Sequence, residues 1–298
     1  MKKDLIFTGA GTALVTPFTP AGEIAWEELE KLVDFQLEGG IDAIIACGTT
    51  GEAATMTGEE HLKVIDFIIK KVAGRVPVIA GTGSNDTAFC VELSQEAKQL
   101  GADGLLLVTP YYNKTSQKGL VESFNFIADQ VKMPCILYNV PSRTGVSFTA
   151  ESYQILAQNP KINGVKEASG NLAQVADIAA LCGDELNIYS GEDGLILPVL
   201  ALGGKGVISV LSNVAPRYTH DLCAAWFAGD AAACRRMQLD ALELVHALFA
   251  DVNPIPVKWA MNRLGWAAGP LRLPMCDPGE AVQRQLETAL KNFGLLKD

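Results

Sequence analysis

The sequence predicts an α/β chain folded as a (β/α)8 TIM barrel with a C-terminal helical extension. Three observations point there. A strand–loop–helix unit recurs eight times, the strand-like runs are apolar without polar alternation, and the chain turns all-helical after the last of them.

The expected strands are residues 11–18, 43–47, 76–81, 104–109, 135–139, 162–168, 187–190 and 206–210. Their spacing of roughly 20–33 residues suits one strand, one helix and the connections. Runs such as Ala43-Ile44-Ile45-Ala46-Cys47 and Leu105-Leu106-Leu107-Val108 are continuous, as in parallel strands buried on both faces. Between strands, Leu29, Leu32, Val33 and Leu37 recur at helical spacing with Glu27, Glu28, Glu30 and Lys31 interleaved, an amphipathic helix covering a sheet. An open doubly wound sheet is the alternative. It usually carries a glycine-rich dinucleotide loop after its first strand, and none follows Val15-Thr16-Pro17-Phe18.

After Ser212-Asn213, residues 216–227, 230–249, 255–264 and 278–293 read as helices. The last has Asp277 as N-cap, Pro278 at the first helical position and Glu280 three residues past the cap. The expected organisation is a barrel over residues 1–213 and a helical extension over 214–298 packed on it without a linker.

With 298 residues, 49% of them hydrophobic, the chain can bury a large core. A formal charge of −10 argues against a nucleic-acid partner, since phosphate binding needs clustered Lys and Arg. The apolar run after Lys2-Lys3 breaks at Thr8-Gly9, shorter than a signal peptide requires. No stretch approaches the roughly 18 apolar residues of a membrane helix. The expectation is a cytoplasmic protein with no membrane contact. The seven cysteines (47, 90, 135, 182, 223, 234 and 276) are scattered and form no C-x-x-C pair. They fit neither a disulfide framework nor a zinc site, and most read as small core residues. His61, His220 and His246 form no pair at ligand spacing, so no metal is expected.

In a barrel of this kind chemistry collects where the strands end. Four segments there carry unusual polar residues. In Gly164-Val165-Lys166-Glu167-Ala168-Ser169, residues 164, 166 and 168 share one face of a strand. Pointing inward, Lys166 is flanked by small residues and desolvated, and its neutral amine can attack a carbonyl. Pointing outward, it pairs with a helix carboxylate; the local sequence allows both. In the segment 136–145, Tyr138 stands late in a strand, able to move protons. Arg143 follows in a turn suited to gripping a carboxylate. A structural buried Tyr and a surface Arg fit equally well. Cys47-Gly48-Thr49-Thr50-Gly51-Glu52 brackets two hydroxyls with glycines, and its backbone amides could cradle a carboxylate. It lacks the Lys of a P-loop. The adjacent Tyr111 and Tyr112 suggest an aromatic contact patch, as at a subunit interface.

Together these segments resemble the dihydrodipicolinate synthase family, within the N-acetylneuraminate lyase superfamily of class I aldolases. The match runs from Gly9 to the end of the chain. It includes residues 48–52, 80–83, 108–113, 138–145, 164–168, 206–209 and 253–258. The resemblance implies condensation of pyruvate with L-aspartate-4-semialdehyde, on the route to diaminopimelate and lysine. It assigns the Schiff base to Lys166 and the proton relay to Tyr138, Thr49 and Tyr112, the last supplied by a neighbouring subunit. Thr50 would hold the pyruvate carboxylate, Gly191 and Ile208 would line the pocket, and Arg143 would hold the second substrate's carboxylate. No cofactor is implied, because the lysine itself is the electron sink. The assembly implied is a homo-oligomer, a tetramer built as a dimer of dimers. N-acetylneuraminate lyases and sugar-acid aldolases share the Lys and Tyr, but Arg143 in Pro-Ser-Arg-Thr-Gly and the Thr49-Thr50 pair look like the synthase. A non-catalytic pyruvate sensor would have lost Lys166 or Tyr138.

In lysine-regulated members the inhibitor's positions fall here on Ala53, Ala54, Gly58, His61, Asn85, Phe89 and Tyr111. Such members commonly carry Ser, His and Glu where this chain has Ala53, Gly58 and Phe89. The missing carboxylate implies weak feedback or none.

Overall fold

The computed structural model describes residues 2–297. Among them, eight parallel strands close into a barrel in sequence order. They are β1 (Gly9–Ala13), β2 (Ala43–Ala46), β3 (Val78–Gly81), β4 (Gly104–Val108), β5 (Cys135–Asn139), β6 (Ile162–Glu167), β7 (Asn187–Ser190) and β8 (Gly206–Ser209). β8 pairs back onto β1, Gly9 opposite Gly206 and Thr12 opposite Ser209, so no edge strand remains.

Strand alternation sorts the side chains into two cores. Ala43 and Ile45 of β2, Ile136 and Tyr138 of β5, Tyr189 of β7 and Ile208 of β8 point into the barrel with Phe7, Ile79 and Leu106. Their neighbours Ile44, Leu105, Leu137, Val165 and Val207 point outward against the helices. The helix Trp26–Glu38 buries Leu29, Leu32 and Val33 there, as its periodicity requires. Phe7, which precedes β1, stacks on Tyr189 at 4.4 Å, and the Tyr189 hydroxyl donates to the Phe7 carbonyl at 2.8 Å. This pair fills the barrel's N-terminal end and leaves the C-terminal strand ends for a site.

Three sequence expectations need correction. The first strand spans Gly9–Ala13, not residues 11–18. Beyond Leu14 the backbone leaves the ladder: the Val15 N–H donates to the Asn213 side chain and the Thr16 hydroxyl to the Gly51 carbonyl. Val15, Pro17 and Phe18 are apolar because they are core, not because they are strand. The stretch 230–249 is two helices, Ala231–Asp240 and Leu242–Leu248, interrupted at Ala241. Ala241 keeps right-handed helical dihedrals (φ −80°, ψ −13°), so periodicity alone does not reveal the break. The last helix is Glu280–Asn292 with Gly279 as N-cap, not Asp277. The Gln283 side chain takes the Pro278 carbonyl, and the first helical bond runs to the Gly279 carbonyl instead. The remaining helices of this part, Pro216–Phe227 and Ile255–Arg263, follow the sequence pattern closely.

Candidate active site

The inward parity of β6 decides the orientation of Lys166. Val165 belongs to the outer core and Ala168 to the inner one, so Lys166 points into the barrel. It is paired laterally with Tyr138 of β5 and Tyr189 of β7. Only 5% of Lys166 is exposed, and its Nζ lies 4.4 Å from the centre of the Tyr138 ring. Burial is the main cause that lowers its pKa to about 8; Asp193 and Glu192 oppose the shift and Arg143 adds to it. An amine of that kind keeps a neutral minority near physiological pH, far larger than an ordinary lysine's, and that form can add to a carbonyl.

Small residues make room for it. A Cβ on Gly191 would stand 2.5 Å from the Ala168 Cβ and 3.1 Å from the Lys166 Cε, so only glycine fits beside the lysine stem. Behind the strand, Glu167 accepts from Asn139 Nδ2 (3.1 Å), the Ser169 N–H (2.9 Å) and the Tyr153 hydroxyl (3.5 Å), which fixes the end of β6.

Tyr138 is buried, and desolvation pushes its phenol up to about 12, so it stays protonated. Arg143 and a hydrogen bond with Thr49 moderate that rise. Arg143 donates through Nη2 to the Asn253 carbonyl at 2.6 Å. Tyr138, Ser142, Arg143, Lys166, Gly191 and Glu192 line one cavity of about 480 Å³. A second cavity of about 540 Å³ shares Tyr138, Val140, Arg143 and Asn253 with the first and also takes in Thr49. Ala53, Ala54, Gly58, His61, Phe89 and Tyr111 line this second cavity.

Not every expected residue meets the others. The Thr50 hydroxyl is buried and accepts from Asn253 Nδ2 at 2.9 Å. Ile208 packs in the inner core and does not line either cavity. Asn85 donates to the Tyr111 carbonyl at 3.2 Å, and His61 Nε2 is 2.7 Å from the Gly81 carbonyl. Tyr112 is 94% exposed and held at φ 68°, an uncommon conformation for an aromatic residue. This chain does not bring its own Tyr112 to Lys166.

Other residues at the site escaped sequence reasoning. Asp193 is buried; its Oδ2 accepts from the Val210 and Leu211 N–H groups, both at 2.9 Å, and its Oδ1 has no hydrogen-bond partner among the described residues. Glu52, in the left-handed region at φ 57°, closes the loop that carries Thr49 and Thr50. Its Oε1 accepts from Lys258 Nζ at 2.7 Å, and its Oε2 from the Arg272 N–H at 3.0 Å. Two adjacent carboxylates after β7, and a lone lysine inside an apolar helix, were the available signals.

Residues 6–293 match the model of the dihydrodipicolinate synthetase family. The chain belongs to that family. A relative from Caldicellulosiruptor bescii named 4-hydroxy-tetrahydrodipicolinate synthase is 53% identical over 290 residues, 97% of this chain and 98% of that one. Among solved structures, the chloride-inhibited dihydrodipicolinate synthase of Acinetobacter baumannii complexed with pyruvate superposes with a TM-score of 0.95. It is 41% identical, with 97% of this chain and 99% of that one covered. The family member from Cyanidioschyzon merolae with lysine bound gives the same TM-score and 41% identity, covering 98% and 100% of the two chains.

Proposed function

We propose that this enzyme is a Schiff-base lyase that condenses pyruvate with L-aspartate-4-semialdehyde, with Lys166 as the covalent nucleophile. The observation that carries the reading is a desolvated lysine amine in one cavity with Tyr138 and the Arg143 guanidinium.

The neutral Lys166 amine adds to C2 of pyruvate, and the carbinolamine loses water to give an iminium. Its positive charge draws electrons from the methyl carbon, which gives up a proton and becomes an enamine. Tyr138, Thr49 and Tyr112 from a second copy of the chain carry the protons of these steps. The enamine attacks the aldehyde carbon. The amine of the adduct then displaces Lys166 from C2, closing the ring and freeing the lysine. Thr50 and nearby amides hold the pyruvate carboxylate, Gly191 and Ile208 shape the wall, and Arg143 holds the second carboxylate.

The same reading takes residues 1–213 as the catalytic barrel and 214–298 as its extension. It makes the protein a cytoplasmic homotetramer serving diaminopimelate and lysine synthesis. A coupled assay with pyruvate and L-aspartate-4-semialdehyde, run beside N-acetylneuraminate cleavage, tests it. Turnover is expected only in the first; the reverse result would make the chain an N-acetylneuraminate lyase. Borohydride reduction with pyruvate should add a pyruvate-derived mass to the peptide containing Lys166.

A further inference from the structure

We propose that Glu192 receives the α-ammonium group of the second substrate while Arg143 takes its α-carboxylate, a role that rests on the condensation proposed above. The cavity would then select an aldehyde that carries an α-amino acid group over aldehyde acids without the amine.

Glu192 follows Gly191 at the end of β7 and lines the same cavity as Lys166, Tyr138 and Arg143. Its backbone is fixed: the Ser190 hydroxyl donates to the Glu192 carbonyl at 2.8 Å and accepts from the Glu192 N–H at 3.2 Å. Its carboxylate is half-buried and makes no hydrogen bond or ion pair with another described residue. Arg143 uses Nη2 on the Asn253 carbonyl, and its other donors are likewise unpaired. Two opposite charges thus face one cavity without closing on each other.

Burying charge without a partner is costly, and the arrangement is balanced only by a ligand that brings both signs. An α-amino acid end carries an ammonium and a carboxylate on one carbon, which suits a carboxylate and a guanidinium set apart across a cavity. The rest of such a molecule can then direct its aldehyde to Lys166. A neutral hydroxylated chain would leave the Glu192 charge uncompensated. Service as the counter-ion of Lys166 explains Glu192 less well. Asp193 acts more strongly on that lysine, and Glu192 makes no ion pair with it.

The test compares Glu192→Gln with the unaltered enzyme on two probes. One is L-aspartate-4-semialdehyde. The other is 4-oxobutanoate, which has the same aldehyde and carboxylate but no amine. For Glu192→Gln, kcat/KM for the amino aldehyde should fall about 10- to 100-fold, the range for a lost charged hydrogen bond. The inhibition constant of 4-oxobutanoate should stay within about threefold, since it makes no ammonium contact. Glu192→Asp, which keeps the charge, should retain more of the preference than the Gln variant and serves as the second variant if Gln fails to fold. Equal losses on both probes, or no loss on either, would overturn the assignment. End-point borohydride labelling of Lys166 by pyruvate checks the integrity of each variant. Absence of turnover by the unaltered enzyme would instead overturn the condensation itself.

Discussion

Lys166 Nζ lies over the face of the Tyr138 ring, 4.4 Å from its centre, and not at the phenol oxygen. The ring face favours the charged amine, while burial favours the neutral one and is the largest cause of the lysine's lowered pKa. The pKa near 8 sets burial, with a smaller lowering by Arg143, against Asp193 and Glu192, which raise it.

Imine formation should follow that value. A lowered lysine pKa makes the neutral amine available at lower pH than the usual 10.5. The rate of imine formation with pyruvate, followed by rapid reduction, should rise about tenfold per pH unit below pH 8 and level off above it. An inflection close to 10.5 would show a solvated lysine and remove the basis of the mechanism.

Arg143→Ala should hurt the second substrate more than the first. A charged bidentate contact contributes about 1.5–3 kcal/mol, so kcat/KM for the semialdehyde should fall roughly 10- to 100-fold. Pyruvate labelling of Lys166 should persist. Equal loss of labelling would mean that the Arg143 bond to the Asn253 carbonyl supports the first site instead.

Tyr112→Phe should lower kcat without unfolding the protein. In one chain Tyr112 is turned outward by a loop tied down through Asn113 Nδ2 to the Asn85 carbonyl at 2.8 Å, so any relay through it crosses a subunit boundary. General acid–base groups contribute about 10²–10⁴-fold, and bypass through water lessens the loss. Near-normal turnover in Tyr112→Phe would take the residue out of the mechanism.

Much of this was legible because barrels write their pattern locally. β5 and β7 were expected with their observed bounds, since apolar parallel strands end where polar residues begin. Strand parity put Lys166, Gly164 and Ala168 on one face, but sequence could not choose that face. The choice depends on which neighbours are helices and which are barrel interior. Glu192 was missed because a carboxylate after a strand looks like any solvated loop residue until the cavity closes around it. The Glu52–Lys258 pair was invisible for another reason. Its partners are more than 200 residues apart and meet only when the helical part packs on the barrel.

That pair yields a stability prediction. Lys258 Nζ donates to the Thr16 carbonyl, Glu52 Oε1 and the Pro270 carbonyl, and sits 4.4 Å from the centre of the Phe18 ring. Replacing it by Met leaves the Glu52 charge buried and uncompensated, which costs about 3–5 kcal/mol. For a chain of this size that is about 5–8 °C in Tm. Lys258→Met with Glu52→Gln should recover part of the loss, because no lone charge then remains. Equal Tm values for the single variant and the parent would show that water reaches this site.

Ala53, Ala54, Gly58, His61, Phe89 and Tyr111 line one cavity, the place where inhibitory lysine would be sought. An amino-acid ammonium group needs an acceptor there. Phe89 supplies none and stands near Gly58, where an added Cβ would lie 3.8 Å from its ring. Glu52 also lines the cavity, but both its oxygens are engaged by Lys258 and Arg272. Glu92, one turn beyond Phe89, is exposed and lies on another surface beside Lys63, Asp66 and Gln95. His61 holds the Gly81 carbonyl, and burial lowers its pKa. Loss of one charged hydrogen bond weakens binding about 10- to 150-fold before any steric effect of the phenylalanine. L-lysine should therefore inhibit weakly or not at all, although a relative has been solved with lysine bound. Titration at subsaturating pyruvate measures this, and strong inhibition below about 1 mM, a Kd worth roughly −4.1 kcal/mol, would refute it. Phe89→Glu alone should not restore a full response, because Ala53 and Gly58 still lack the polar groups of a regulated site.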